Sequence, residues 1–290
     1  METSPRYETG SNSSLWIQNL VNGLAGITLR AKHSLYYGAS PFQKIEIFHT
    51  YAFGKVLVLG DNIVLTERDE HIYHESIVHP AMTMHADPKR VLIIGGGDGG
   101  CLREVLKHKD VETALVVEID KMVKEAVAAH FPALAKSFAD KRGRVEIAEG
   151  CSWLAKSREA FDVIVVDSYD PGGPVQSLET TDFYKLVHER LDKGGIAVFQ
   201  TDSPTIRAEY LRSTVATISS LFSAYKLYLC TMPSFPEAIC SFVICAKEGA
   251  DLDSFNEKRY ASVAKKCTYY NPDIHRGAFL LPEYIKKIVA

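Results

Sequence analysis

The stretch that decides the fold is "VLIIGGGDGG", residues 91–100. Four apolar residues run into three glycines, an aspartate and two more glycines. A short apolar run ending in a glycine turn reads as a buried strand feeding a helix. Gly95, Gly97 and Gly100 fit the G-x-G-x-x-G spacing that brings backbone close to a nucleotide-type cofactor. Glu118 closes the next apolar run about 20 residues on, where a doubly wound sheet binds ribose hydroxyls. The pattern points to a nucleoside-bearing cofactor; a tight strand-to-helix turn without a ligand is the plainer alternative.

Asp98 is the odd member of the loop. In a dinucleotide site, amides and a helix dipole face a pyrophosphate, and a carboxylate there would repel it. Asp98 therefore favours a cofactor without phosphate and with positive charge, such as S-adenosylmethionine or a relative. The competing reading is a helix N-cap, since an aspartate before "GGCLREV" can accept from free amides.

Outward from this loop, strand and helix patterns alternate. "RVLIIGG", "TALVVEID", "RVEIAEG", "FDVIVVDSYD" and "GGIAVFQTD" read as strands. "GCLREVLKH", "KMVKEAVAAHF", "TTDFYKLVHERL" and "AEYLRSTVATISSLF" read as helices, and "AYKLYLCTM" and "ICSFVICAK" close as strands. Near-continuous apolar strands mean both faces are covered, as in a parallel sheet. Toward the N-terminus, "ITLRAKHSLYY", "QKIEIFHT" and "KVLVLGDNIVL" read as strands of a small antiparallel module, punctuated by Gly38, Gly54 and Gly60. "TERDEHIYHESIVHPAMTM" has helical spacing, with Thr66 as N-cap and Asp69 completing a capping-box-like start. The expected division is a disordered tail over 1–14, a β-module over 15–75 and a catalytic domain over 76–290.

Composition narrows the partners. The 290 residues carry a net charge of −3 with no lysine/arginine block, so neither nucleic acid nor an anionic membrane is called for. No apolar run reaches the ~18 residues of a membrane span, and the N-terminus has no hydrophobic signal core; a cytoplasmic setting is expected. The six cysteines form no CxxC and read as buried reduced thiols. His79, His108, His130 and His188 read as surface or helix positions, without metal-ligand spacing.

"FDVIVVD" ends in Asp167, and Asp170 follows in the loop "SYDPGGP". Strand C-termini line the ligand crevice of such sheets. Two carboxylates at i and i+3 can converge on one amine, one binding an ammonium while the other accepts a proton. Asx-turn chemistry at a loop start is the alternative.

Together these residues resemble the polyamine aminopropyltransferases, the spermidine synthase family. The matching blocks are "FQKIEIF", "FGKVLVL", "TERDEHIYHE", "VLIIGGGDGG", "LREVLKHKDVE", "VVEID", "FDVIVVDSYDP" and "YYNPDIHRGAFLLPEY". The resemblance implies an α/β fold: a Rossmann-like, methyltransferase-type doubly wound sheet with a small N-terminal antiparallel β domain. It implies decarboxylated S-adenosylmethionine as donor, a di- or polyamine as acceptor, methylthioadenosine as product, no metal, and a homodimer or homotetramer. By position, Gln43 and Glu118 should bind the donor, with Gly95 and Gly97 in the loop. Glu149 and Gly150 should lie by the adenosine, with Pro174 at its base. Asp98 should hold the donor's aminopropyl ammonium. Tyr73, His74, Asp170, Gln200 and Phe235 should line the polyamine site, and Asp167 should accept the proton.

The chain departs from the family pattern where the pockets lie. "LGDNIV" replaces the usual "LDG" followed two residues later by glutamine, so Val64 stands in for the glutamine. Glu149 replaces an aspartate, Tyr169 sits between the two loop aspartates, and Phe235 replaces a tyrosine. Putrescine is the first acceptor to consider, with agmatine, another diamine or a triamine, or an undecarboxylated donor, as alternatives. An amine N-methyltransferase and a non-catalytic paralogue are the other classes.

Overall fold

The computed structural model describes residues 15–21, 25–167, 176–201 and 203–289. The expected tail and two expected site residues, Asp170 and Pro174, lie outside the described residues.

Five strands open the chain: β1 Leu15–Val21, β2 Ala25–Ala39, β3 Lys44–Thr50, β4 Lys55–Leu59 and β5 Asn62–Thr66. They form one antiparallel sheet in sequence order. The stretch "KVLVLGDNIVL", punctuated at Gly60, is a hairpin in which Leu59 pairs with Asn62. Gly60 takes φ +56°, the left-handed value that the first position of a two-residue hairpin turn can demand.

The second layer follows as α1 Glu70–Met84, β6 Arg90–Gly95, α2 Gly100–Lys107, β7 Thr113–Glu118, α3 Lys121–His130 and the one-turn α4 Pro132–Ala135. Then come β8 Gly143–Ile147, α5 Gly150–Lys156, β9 Phe161–Asp167, α6 Thr181–Arg190, β10 Leu191–Thr201 and α7 Ala208–Leu221. The chain closes with β11 Ala224–Thr231, β12 Ile239–Ala246, α8 Glu257–Val263, α9 Pro272–Ala278 and α10 Glu283–Val289. The expected break between residues 75 and 76 falls inside α1.

The large sheet has the order β11-β12-β10-β9-β6-β7-β8. β8, β7, β6, β9 and β10 run parallel, while β12 is antiparallel to both β10 and β11. The sheet is therefore mixed at one edge. The α/β, Rossmann-like architecture is the expected one. Successive strand residues alternate between faces. Val91, Ile93, Val163 and Val165 pack toward α1 and α2, and Leu92, Ile94, Ile164 and Val166 toward α6, α7 and α10. Both faces are covered, which explains the unbroken apolar runs.

The two sheets are joined by an apolar seam. Ile45, Ile47, Leu57 and Leu65 from the N-terminal sheet cluster with Val123, Ala126, Val127, Phe131 and Leu134 from α3 and its sequel. Pro80 inside α1 has no N–H to offer the Ser76 carbonyl, and the Tyr228 hydroxyl donates to that oxygen at 2.9 Å instead. Among the described residues, no helix is long and apolar enough to cross a membrane.

Candidate active site

Strand order reverses at β6: β7 and β8 lie on one side, β9 and β10 on the other. Ligands bind outside the strand C-termini at such a reversal. Gly95 at the end of β6 is paired with Asp167 at the end of β9, and the Gly96 N–H donates to the Asp167 carbonyl at 3.1 Å.

The glycine turn then reaches the second strand. The Gly97 N–H donates to Glu118 Oε2 at 2.9 Å, and the Asp120 N–H to Oε1 at 2.8 Å. A Cβ on Gly97 would stand 2.6 Å from Glu118 Oε2, so only glycine lets this carboxylate approach. Burial pushes the Glu118 carboxyl up to about 7, against the two amide bonds that favour its charge. Asp120 also caps α3 and receives Ser40 Oγ at 2.6 Å and Gln43 Nε2 at 3.2 Å. Those bonds bring Gln43 from the N-terminal sheet to the edge of the Glu118 site.

Asp98 makes a local turn bond without capping α2. Its Oδ1 accepts from the Gly100 N–H at 2.7 Å, a local turn bond. The N-cap position of α2, however, belongs to Gly99, with no side-chain cap bond. Oδ2 lies 3.4 Å from His74 Nε2, and His74 Nδ1 is 2.7 Å from Glu70 Oε2. Burial opposes the Asp98 charge, yet His74 and the Gly100 amide hold its carboxyl below the usual range. Burial likewise opposes a charged His74, but Asp98 and Glu70 hold its pKa well above the ordinary value.

Asp167 is held on both oxygens. The Tyr73 hydroxyl donates to Oδ1 at 2.6 Å and the Cys101 thiol to Oδ2 at 3.0 Å. Gln200 Oε1 is 2.7 Å from the same hydroxyl. Burial, then the Asp98 charge, pushes the Asp167 carboxyl above its ordinary range, with His74, Tyr73 and Cys101 opposing. The Tyr73 ring sits 5.6 Å from Phe242 and 6.2 Å from Phe235, forming an apolar wall beside the carboxylate.

Phe235 is carried by a turn that Asp69 anchors. Asp69 Oδ2 accepts from the Ser234 N–H at 2.9 Å, and Oδ1 from the Ser234 hydroxyl at 3.0 Å and the Thr66 hydroxyl at 2.6 Å. The capping-box reading is thus corrected. Thr66 ends β5, the helix begins at Glu70, and the Asp69 side chain makes no cap bond, because its oxygens serve the distant turn.

Glu149 caps α5, accepting from the Cys151 and Ser152 amides at 2.9 and 2.7 Å and from Ser177 Oγ at 2.7 Å. Gly150 starts that helix against Ile94, with a would-be Cβ 2.7 Å from Ile94 Cγ2.

The structure thus gathers Tyr73, His74, Asp98, Asp167, Gln200 and Phe235 around one point. Gln43, Gly97 and Glu118 form a second group beside it, and Glu149 with Gly150 a third at α5. Cys101, Asp69 and Glu70 escaped the sequence reading; Cys101's place directly behind the glycine loop was the one signal for it. All six cysteines are free. His79 and His108 are buried rather than superficial, with His79 Nδ1 3.0 Å from His108 Nε2 and His79 Nε2 3.0 Å from Glu104. His74, Cys101 and Asp167 place possible metal-binding atoms within 4.8 Å of one another. Both His74 nitrogens already face carboxylates, and burial pushes the thiol well up, so the set reads as a hydrogen-bonded network.

Fold and site together define an α/β transferase with buried carboxylates gathered at the switch point of its sheet. Residues 70–259 match the spermine/spermidine synthase domain, and residues 15–67 the spermidine synthase tetramerisation domain. The chain belongs to the spermidine synthase family and is a transferase of the polyamine aminopropyltransferase type. A polyamine aminopropyltransferase of Caldicellulosiruptor saccharolyticus is 37% identical over 277 residues, 95% of this chain and 98% of that one. One from Shouchella clausii is 37% identical over 264 residues, 91% and 95% of the two chains. A spermidine synthase in complex with the transition state analogue AdoDATO matches with TM-score 0.91 at 33% identity, covering 100% of this chain and 98% of that one. The spermidine synthase from Thermotoga maritima gives 0.89 at 33% identity, covering 100% and 97%.

Proposed function

We propose that this enzyme transfers the aminopropyl group of decarboxylated S-adenosylmethionine to a diamine, putrescine first, giving spermidine and methylthioadenosine. The observation that carries the reading is the pair of half-buried carboxylates, Asp98 and Asp167, set on either side of the Gly95–Gly97 turn. A donor with a sulfonium and an ammonium, and an acceptor with an amine at each end, both call for such a site.

The acceptor amine must lose a proton before it attacks, at a cost set by an amine pKa near ~10.4. Asp167, fixed by Tyr73 and Cys101 and pushed upward by burial, is the base. The nitrogen lone pair attacks the propyl carbon beside sulfur. The C–N bond forms as the C–S bond breaks, the bonding pair goes to sulfur, and the proton goes to Asp167. Charge disperses in this step, so positioning and exclusion of water supply much of the rest. Asp98 holds the donor's ammonium, Glu118 and Gln43 its ribose end, and Glu149 and Gly150 border the adenosine. Tyr73, Gln200 and Phe235 line the acceptor. A donor that kept its α-carboxylate would meet the Asp98 charge.

The N-terminal sheet is the assembly unit of a homodimer or homotetramer. Trp16, Leu20 and Tyr37 on β1 and β2 are 37, 41 and 63% exposed, a large apolar share for one small sheet. The catalytic unit is the seven-stranded sheet with α1.

Mass spectrometry of products tests the reading, crossing decarboxylated and intact donor with putrescine, agmatine, cadaverine and spermidine. The acceptor should gain an aminopropyl group from the decarboxylated donor. A methyl gain would make the enzyme a methyltransferase, and no product from any pair would leave a non-catalytic paralogue.

A further inference from the structure

Both nitrogens of His74 face carboxylate oxygens, Nδ1 at 2.7 Å from Glu70 and Nε2 at 3.4 Å from Asp98. The imidazolium, with a proton on each ring nitrogen, is the form that can donate toward both carboxylates at once. The side chain is only 2% exposed. It meets Tyr73 edge-on at 5.3 Å and fills the space that a Cβ on Gly100 would need. Behind it, Arg103 grips both oxygens of Glu70 at 2.7 and 2.8 Å, and its Nε bonds Glu104 at 2.7 Å. Charges alternate along a continuous chain with His74 and Glu104 buried and the rest half-buried: Asp98, His74, Glu70, Arg103, Glu104, then Lys107 at 2.5 Å from Glu104.

We propose that His74, Glu70 and Arg103 are positioning residues for aminopropyl transfer. Arg103 and Glu70 hold His74 as an imidazolium, and that cation fixes the Asp98 carboxylate and tempers its repulsion of Asp167. This rests on the reading of Asp98 and Asp167 given above. The groups facing the ring are Glu70 and Tyr73 from α1, Asp98 from the glycine turn, Cys101 from α2 and Asp167 from β9, with Arg103 of α2 behind Glu70. Without the imidazolium, Asp98 and Asp167 repel unrelieved, and Asp167 takes up its proton at higher pH.

The test combines nitrogen-15 histidine NMR of the full chain with pH–rate profiles for wild type, Glu70→Gln, Glu70→Asp and Arg103→Lys. The His74 signal is assigned by its loss in His74→Asn. In the wild type, both ring nitrogens should show the imidazolium pattern at pH 7.5. In Glu70→Gln, the ring should be neutral at that pH. The acid limb of kcat/KM should move up by about one pH unit, and kcat should fall about tenfold, with acceptor KM within about twofold. Glu70→Asp should fall between. Arg103→Lys keeps the charge but loses the fork, and carries the same test if Glu70→Gln does not fold. A neutral His74 in the wild type, an unmoved pH profile, or a rise in acceptor KM alone overturns the proposal. A wild type that transfers no aminopropyl group at all sinks the functional reading instead, while the NMR still decides the state of the ring.

Discussion

The hydroxyl of Tyr73 stands 2.6 Å from Oδ1 of Asp167, a bond between the first helix of the catalytic unit and the end of its fourth parallel strand counted from β8. That bond favours the ionised carboxylate, against burial and the neighbouring Asp98. Removing it with Tyr73→Phe should raise the Asp167 pKa further. The acid limb of kcat/KM should shift upward, with about a tenfold loss in rate at neutral pH. Asp167→Asn should cost about 10²–10⁴ in kcat and leave donor binding measurable by calorimetry. Full turnover at saturating substrate would remove Asp167 as the base.

Glu118 links pH to stability. Its carboxyl is raised from 4.5 to about 7 in the folded chain. The folded state therefore keeps a proton that the unfolded state releases as pH climbs past 4.5. Stability should decline between about pH 4.5 and 7 by up to roughly 3 kcal/mol, then level off. Denaturant midpoints across that window check it. The decline should flatten in Glu118→Gln, whatever that variant costs in absolute stability.

Gly97→Ala puts a methyl where Glu118 Oε2 now lies, 2.6 Å away. The carboxylate must retreat and lose its Gly97 amide bond. Donor affinity should fall tenfold or more, about 1.4 kcal/mol, while the acceptor constant changes little. Equal losses for both substrates would mean a general collapse of the turn.

Asp69 is buried and ties the Phe235 turn to the start of α1. Asp69→Ala strands the Ser234 amide and hydroxyl, at a cost of about 1–3 kcal/mol for each group left unsatisfied. Acceptor KM should rise because Phe235 loses its support. The milder Ser234→Ala removes only the hydroxyl bond and should show a smaller rise. Urea midpoints and steady-state kinetics on the same samples separate the two effects.

How much of this could be read beforehand depends on what each feature rests on. The β6 strand, its glycine turn, Glu118 and Asp167 were legible because a strand covered on both faces is apolar from end to end, and its ligand-facing end is where polar residues begin. Cys101 was not legible as a neighbour of Asp167, since only the β6–β9 pairing brings α2 over the end of β9. Asp69 looked like a local helix signal because its true partner, Ser234, is 165 residues away. The β4–β5 hairpin was marked only by Gly60, since one glycine between two apolar runs does not by itself tell a turn from a bulge. The antiparallel β12 could not be told from a parallel strand, since apolar content reports burial and not direction. The burial of His79 and His108 was not legible because each finds its ring partner in the other, across the packing of α1 against the end of α2.

Gly95 and Asp167 are opposite rungs of one backbone ladder. The spacing between the glycine turn and Asp167 is therefore set by main-chain hydrogen bonds rather than by side-chain contacts. Phe235 rides instead on a turn closed by its own main-chain bonds, Phe235 N–H to Met232 at 3.0 Å and Ala238 N–H to Phe235 at 2.9 Å, and tied to the start of α1 by Asp69. Redesign toward a longer or bulkier amine can start in that turn, which lies outside the β6–β9 ladder.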